Sequence, residues 1–390
     1  MWKTLVIVAF AIILFGVRNI LINHPNFLAA TISQSPISTS TEQAPSTASD
    51  SAPALSPDST STPAEVKVTH LTTPEMLKGF YVTFYSFESK AKMNQVIAEA
   101  EANGINSLII DVNSDGGPLF DFKDNTVKQM LANLHSKGFY LIARVVAFKI
   151  SDKQWYEPGS HARWEQLADI SKRANEVGFD EINFDYVRYG GPSEATSTVP
   201  VEQRRPNILA FFEFLNKEVR QKMGIPISAD VFGVTFVEPQ AVIGQDMEDA
   251  VKNFDYVMPM PYPSHWALGS FNIAHPGNEP YEIVYQSLLD GWNKVKDNPE
   301  RIAKLRSWIQ AFNIESITPW KLRVYTPTDI QDQIKACLDN SCVGWALWNG
   351  FSTYPDFSGT PPSPSSVPPK ITPKVSSSTP ALPQTIPSNQ

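Results

Sequence analysis

From residue 79 onward the chain alternates between two hydrophobic periods. Short runs rich in β-branched and aromatic residues, which alternate side chains between two faces, are separated by longer stretches with apolar residues three or four apart. The short runs predict strands over 79–85, 106–113, 140–148, 179–187, 226–233, 254–262, 306–313 and 343–349. The longer stretches predict helices over 91–103, 123–137, 162–177, 203–223, 246–252, 281–295 and 328–339. Four of these helices stop at a glycine just before the next strand, at Gly104, Gly138, Gly178 and Gly224, the residue best suited to the left-handed backbone of a helix end. Strands joined by crossovers of this length predict parallel neighbours and right-handed connections. Eight of them predict an α/β fold, a single (β/α)8 TIM-type barrel.

The fourth strand carries the most unusual pattern, F-D-E-I-N-F-D-Y-V-R-Y over 179–189. Alternation puts Ile182, Phe184 and Tyr186 on one face and Glu181, Asn183 and Asp185 on the other. Three polar groups on one inner face are costly to bury unpaired, so the acidic face is expected to look into a wet cavity. The plainer alternative is a structural ion pair with Arg188 or another base. In such barrels the reacting groups sit at the C-terminal ends of strands. That rule selects Asp111 and Asn113 on the second strand, Asp185 and Arg188 on the fourth, and Asp230 on the fifth. Tyr262 and His265 follow the sixth, Gln310 lies on the seventh, and Trp345, Trp348 and Asn349 end the eighth. Asp111 reads equally as a turn former, His265 as a partner of its own loop, and Asp255, at the start of its strand, as structural.

Other chemistries lack support. The six histidines form no H-x-H or H-E-x-x-H pattern, and there is no G-x-S-x-G elbow or phosphate-binding loop, so no metal or cofactor is expected. A net charge of -8 without a basic stripe argues against nucleic acid as a partner. What remains is carboxylates, and two carboxylates flanking a scissile bond are the apparatus for cleaving a glycoside. Asp185 is then expected as nucleophile or charge-stabilising group and Asp230 as acid/base. Asp111, Asn113, Glu181, Asn183, Arg188, Tyr262, His265 and Trp348 are expected to contact a carbohydrate substrate.

Composition divides the chain. Residues 1–22 hold Lys3 and an apolar run from Leu5 to Val17, the pattern of a signal anchor or a signal peptide, implying a membrane tether and an extracytoplasmic location, or secretion if it is cleaved. Residues 23–66 and 359–390 are dominated by Ser, Thr, Pro and Ala and predict disordered linker and tail, leaving 67–358 for the barrel. The two cysteines, Cys337 and Cys342, are five positions apart across an Asp-Asn-Ser turn; they read either as a small disulfide loop or as two free thiols.

The joint set G-F-Y-V-T-F-Y, I-I-D-V-N-S-D-G-G, A-R-V-V-A-F-K, F-D-E-I-N-F-D-Y-V-R-Y, S-A-D-V-F-G, D-Y-V-M-P-M-P-Y-P-S-H-W and G-W-A-L-W-N resembles a bacterial family of glycoside-hydrolase barrels, remotely similar to the alpha-amylase clan. The resemblance spans about 79–354 and implies a TIM barrel with glycosidase activity. In that clan the fourth-strand nucleophile is an aspartate, which Asp185 matches. The chain departs from the clan at Asn183, where the clan has Arg, and at Asp230, where it has Glu. The expected function is hydrolysis of a polysaccharide or oligosaccharide, and the alternative is a non-catalytic carbohydrate-binding barrel of the cell envelope.

Overall fold

Eight parallel strands close on themselves in the order β1-β8-β7-β6-β5-β4-β3-β2. They are β1 (Leu77–Val82), β2 (Ser107–Asn113), β3 (Tyr140–Val146), β4 (Glu181–Asp185), β5 (Ile227–Phe232), β6 (Tyr256–Met260), β7 (Lys304–Gln310) and β8 (Gly344–Trp348). The computed structural model describes residues 67–113, 119–151, 153–191, 194, 197–314 and 323–364. The predicted anchor and linker, most of the tail, and the S-D-G-G turn after β2 lie outside the described residues.

Between the strands run α1 (Phe84–Glu88), α2 (Lys90–Ala102), α3 (Asn125–Ser136), α4 (His161–Val177), α5 (Val201–Leu215), α6 (Gly233–Val237), α7 (Met247–Asn253), α8 (Pro280–Val295) and α9 (Pro327–Asp339). Periodicity located the long helices and missed α1 and α6, whose five residues are too few to display a helical repeat. The stretch expected as one helix to residue 223 ends as α5 at Leu215 and continues as a π-helical segment, Asn216–Gln221. The four helix-ending glycines all adopt positive φ, from 63° at Gly104 to 122° at Gly178.

The strands bury both faces. Their outer face meets the helices in one continuous apolar layer, while the interior is filled by Leu77, Tyr81, Ile109, Tyr140, Ile142, Met258, Tyr262, Trp308 and Ala346. The N-terminal end is closed by a charged floor. Arg306 donates from Nη1 to both oxygens of Glu181, at 2.9 and 3.0 Å, with both side chains fully buried. Ser228 and Tyr140 donate to the same carboxylate, and the guanidinium lies 3.3 Å from the centre of the Tyr256 ring. Asp180, just before β4, accepts from the backbone N–H groups of Leu71 and Leu141 at 2.8 Å and lies 2.9 Å from His135 Nε2, fastening the entering segment to this end.

No helix follows β8 among the described residues. In its place Tyr354 stacks on Phe80 at 3.8 Å, and Phe357 packs on Phe80 and Trp345. Asn103 accepts from the Phe357 N–H, and Gln331 donates to its carbonyl, so this strap covers the seam between α2 and α9. Cys337 and Cys342 are joined in a disulfide, with Cα atoms 5.5 Å apart across a turn in which Ser341 has φ 61°. Among the described residues no helix is long and apolar enough to cross a membrane.

Candidate active site

The C-terminal end of the barrel converges on one side chain that strand alternation did not single out, Arg144 on β3. Its neighbours in register are Asp111 on β2 and Asn183 on β4, so one guanidinium projects inward between two acidic strands. Nη1 donates to Asp111 Oδ1 at 2.6 Å and Nη2 donates to Asp185 Oδ2. Nε lies 4.0 Å from Asp230 Oδ2 and has no hydrogen-bond partner. The guanidinium carbon lies beside the stacked rings of Trp348 and Tyr81, 4.9 and 5.3 Å from their centres, the two rings being 3.9 Å apart.

Asp185 is held from both sides. Its Oδ2 accepts from Arg144, and its Oδ1 accepts from the backbone N–H of Tyr186 at 2.5 Å. The strand ends at this aspartate, and the next residue, Tyr186, has φ 53°, an uncommon conformation for a bulky residue. With both oxygens accepting from N–H donors, the geometry is that of a carboxylate. Its side chain keeps 9% of its surface accessible, against 1% for Asp230 and 4% for Asp111.

Asp230 lies deeper. Its Oδ1 accepts from Trp308 Nε1 at 2.7 Å and from Asn183 Nδ2 at 2.9 Å, both neutral donors, while its buried Oδ2 has no partner. Burial pushes its pKa well above the usual carboxylate range and the charge of Asp185 adds to this, with Arg144 opposing. Burial also raises Asp111, against Arg144 and a 2.5 Å hydrogen bond from Tyr81. The Tyr262 hydroxyl, likewise buried and without a hydrogen bond, is raised well above its ordinary value by burial and then by the charges of Asp230 and Asp185. Three carboxyl groups thus share one guanidinium, and burial favours retention of a proton on the one served by neutral donors.

The structure brings Asp111, Asn183, Asp185, Asp230, Tyr262 and Trp348 into this cluster and sets the other candidates apart. Glu181 shares the inner face of β4 with Asp185 but lies on the floor, sealed by Arg306. Asn113 donates to the carbonyl of Val146 and accepts from its N–H at 3.0 and 2.9 Å, spanning a register shift between β2 and β3. Arg188 forms a two-point ion pair with Glu194 at 2.6 and 3.0 Å among the rings of Trp155, Phe232 and Tyr186. The base opposite Asp185 is therefore Arg144, not Arg188. His265 sits on the loop after β6, with Nδ1 3.1 Å from Ser264 Oγ and its ring beside Tyr262 and Phe312. Gln310 accepts from the Ser264 N–H and hydroxyl, Trp345 belongs to the outer layer, and Asp255 pairs with Arg220. Tyr81, Arg144 and Trp308 were missed as site residues because each reads as an ordinary strand position. The alternation of A-R-V-V, which turns Arg144 to the same face as Val146, was the available signal.

Among the described residues no group of three or more His, Cys, Asp or Glu side chains is arranged to hold a metal ion. A surface cavity of about 550 Å³ is lined by residues that include Tyr281, Arg323, Asp329 and Asp332 beside α8 and α9, and by none of the three clustered carboxylates.

A family described as "Putative glycosyl hydrolase domain" matches residues 79–154 and 150–354, which include every strand from the middle of β1 through β8. The chain belongs to that family. It is a glycoside-hydrolase barrel, and a carbohydrate is the substrate class that follows. Solved structures similar to it include the spore cortex-lytic enzyme SleL of Bacillus megaterium QM B1551, at 13% identity over 73% of this chain and 72% of that one, with a TM-score of 0.49. A chitinase from Chromobacterium violaceum ATCC 12472 is 14% identical over 73% of this chain and 96% of its own, with a TM-score of 0.47. A hypothetical protein from Ruminiclostridium thermocellum ATCC 27405 is 25% identical over 39% of this chain and 97% of its own, with a TM-score of 0.33. No curated protein matches the chain.

Proposed function

We propose that this protein cleaves a polysaccharide or oligosaccharide by a two-carboxylate mechanism in which Asp185 and Asp230 have opposite protonation. The observation that carries the reading is their unlike surroundings at the end of one barrel: Asp185 accepts from a guanidinium and a backbone N–H, whereas Asp230 is served by neutral donors and buried. Environments that drive two carboxyl groups apart assign acid and base. Asp230 supplies the proton to the departing glycosidic oxygen as the bond to the anomeric carbon breaks. Asp185 meets the positive charge at that carbon, by attack or by electrostatic stabilisation. Because Asp230 Oδ2 is closed off from solvent, its proton reaches the substrate by direct contact once a sugar displaces the neighbouring side chains, or through the unpartnered hydroxyl of Tyr262. The Trp348–Tyr81 stack offers an apolar wall of the kind that meets a sugar ring.

The location forms part of the proposal. The disulfide between Cys337 and Cys342 suits an oxidising compartment, and the apolar run after Lys3 suits export or anchoring. The protein is accordingly expected to act outside the cytoplasm, tethered by its N-terminal segment.

The test is hydrolysis across a panel of labelled glycans by the full chain, Asp185→Asn and Asp230→Asn. Cleavage by the parent, with turnover reduced by roughly 10²-fold or more in each folded variant, is expected from the loss of one acid/base group. Full activity in both variants would overturn the assignment. Binding without cleavage by the parent would favour the carbohydrate-binding alternative.

A further inference from the structure

Arg144 is placed to do more than neutralise a buried acid. Its three nitrogens face three different carboxyl groups, on β2, β4 and β5, and only two of them are engaged. The third, Nε, is buried and unpartnered 4.0 Å from the equally unpartnered Oδ2 of Asp230. An orphaned buried donor facing an orphaned buried acceptor at this distance is costly in a resting protein. The same arrangement becomes favourable when Asp230 loses a proton and acquires a charge, because the pair is then charge-assisted. A planar fork serves several acceptors at once, which the single ammonium of lysine cannot.

We propose that Arg144 is a positioning residue for the two-carboxylate reaction, fixing Asp185 through Nη2 and taking up through Nε the charge that Asp230 acquires on giving up its proton. The proposal rests on the functional reading above. The step balances: the proton leaves Asp230 Oδ2 for the glycosidic oxygen, the electron pair of the broken bond goes to that oxygen, and the negative charge left on Asp230 lies beside Nε. Asp111 anchors the other end of the fork through Nη1 and is itself tied to Tyr81, so the guanidinium cannot swing away from the pair. The groups facing Asp230 are Asp185 on β4, Arg144 on β3, Asn183 on β4, Trp308 on β7 and Tyr262 after β6.

The experiment is Arg144→Lys in the full chain, read in two ways. With no substrate, the Asp230 side-chain carboxyl is followed by carbon NMR against pH, assigned with Asp230→Asn. Arg144 lowers the pKa of Asp230 against the effect of burial, so replacing the fork should move that titration to higher pH. With a substrate that the parent cleaves, kcat should fall about 10²-fold, the cost of misplacing a reacting group, with a much smaller change in KM. The basic limb of the kcat profile, where the acid loses its proton, should move to higher pH. A purely structural arginine would lower the unfolding midpoint and leave the titration and the limb in place, and that result would overturn the proposal. Should the lysine variant fail to fold, Asp111→Asn removes the anchor and retains the guanidinium. The Asp230 titration should still move in that variant, and a titration unchanged there overturns the proposal equally. If Asp185→Asn and Asp230→Asn retain activity, the functional reading fails by itself, whereas the substrate-free titration still decides whether Arg144 governs Asp230.

Discussion

Asp230→Asn separates a catalytic acid from a structural aspartate by moving activity and stability in opposite directions. The amide oxygen of Asn can accept from Trp308 and Asn183 as Oδ1 does, at 2.7 and 2.9 Å. Its amino group then faces Arg144 Nε across the 4.0 Å gap, donor against donor, at a cost of about 1 kcal/mol. Against that stands the charge the parent must bury. Because the folded-state pKa of Asp230 is raised, the native protein keeps a proton that the unfolded chain releases from about pH 4 upward. In that window parental stability declines with rising pH by about 1.4 kcal/mol per unit, until Asp230 ionises in the native state as well. The Asn variant lacks this term. Its stability relative to the parent should therefore climb by about that slope through the same window, with the offset from the amide constant. Urea unfolding of both proteins at pH 5, 6 and 7 measures the difference directly. Parallel stability curves would refute the reasoning, since they would mean that Asp230 carries no extra proton in the fold and has none to give a substrate.

Glu181→Ala leaves Arg306 buried without a counter-charge and should cost about 3–5 kcal/mol in urea unfolding. Glu181→Leu with Arg306→Met should recover most of that loss, and a single variant as stable as the parent would refute the floor assignment. Removing the disulfide by Cys337→Ala and Cys342→Ala should cost about 2 kcal/mol, the loop entropy of so short a ring; a difference too small to measure in urea unfolding of the oxidised parent and the variant would contradict it.

The barrel was legible in the sequence because its signal is local. Alternation of two residues in strands, three or four in helices, and glycines at helix ends such as Gly104 and Gly178 each report a backbone requirement satisfied within a few residues. The inward face of β4 was legible for the same reason, and with it Asp185 and, by position on the next strand, Asp230. What alternation cannot report is depth along the barrel or which strand lies opposite. Glu181 and Asp185 share one face, yet Glu181 is sealed by Arg306, 125 residues away in the chain, while Asp185 lies at the rim under Arg144. Arg188, three residues from Asp185, was the obvious ionic partner by proximity. It turns instead to Glu194, because the left-handed turn at Tyr186 redirects the chain after the strand. Whether Cys337 and Cys342 bond was likewise open in the sequence, and the turn through Ser341 that brings their Cα atoms to 5.5 Å decided it. The sequence by itself determined the period of each element and hence the barrel. Closure of the sheet determined the pairings of its charges, since a buried carboxylate takes whichever cation the opposite wall presents to it.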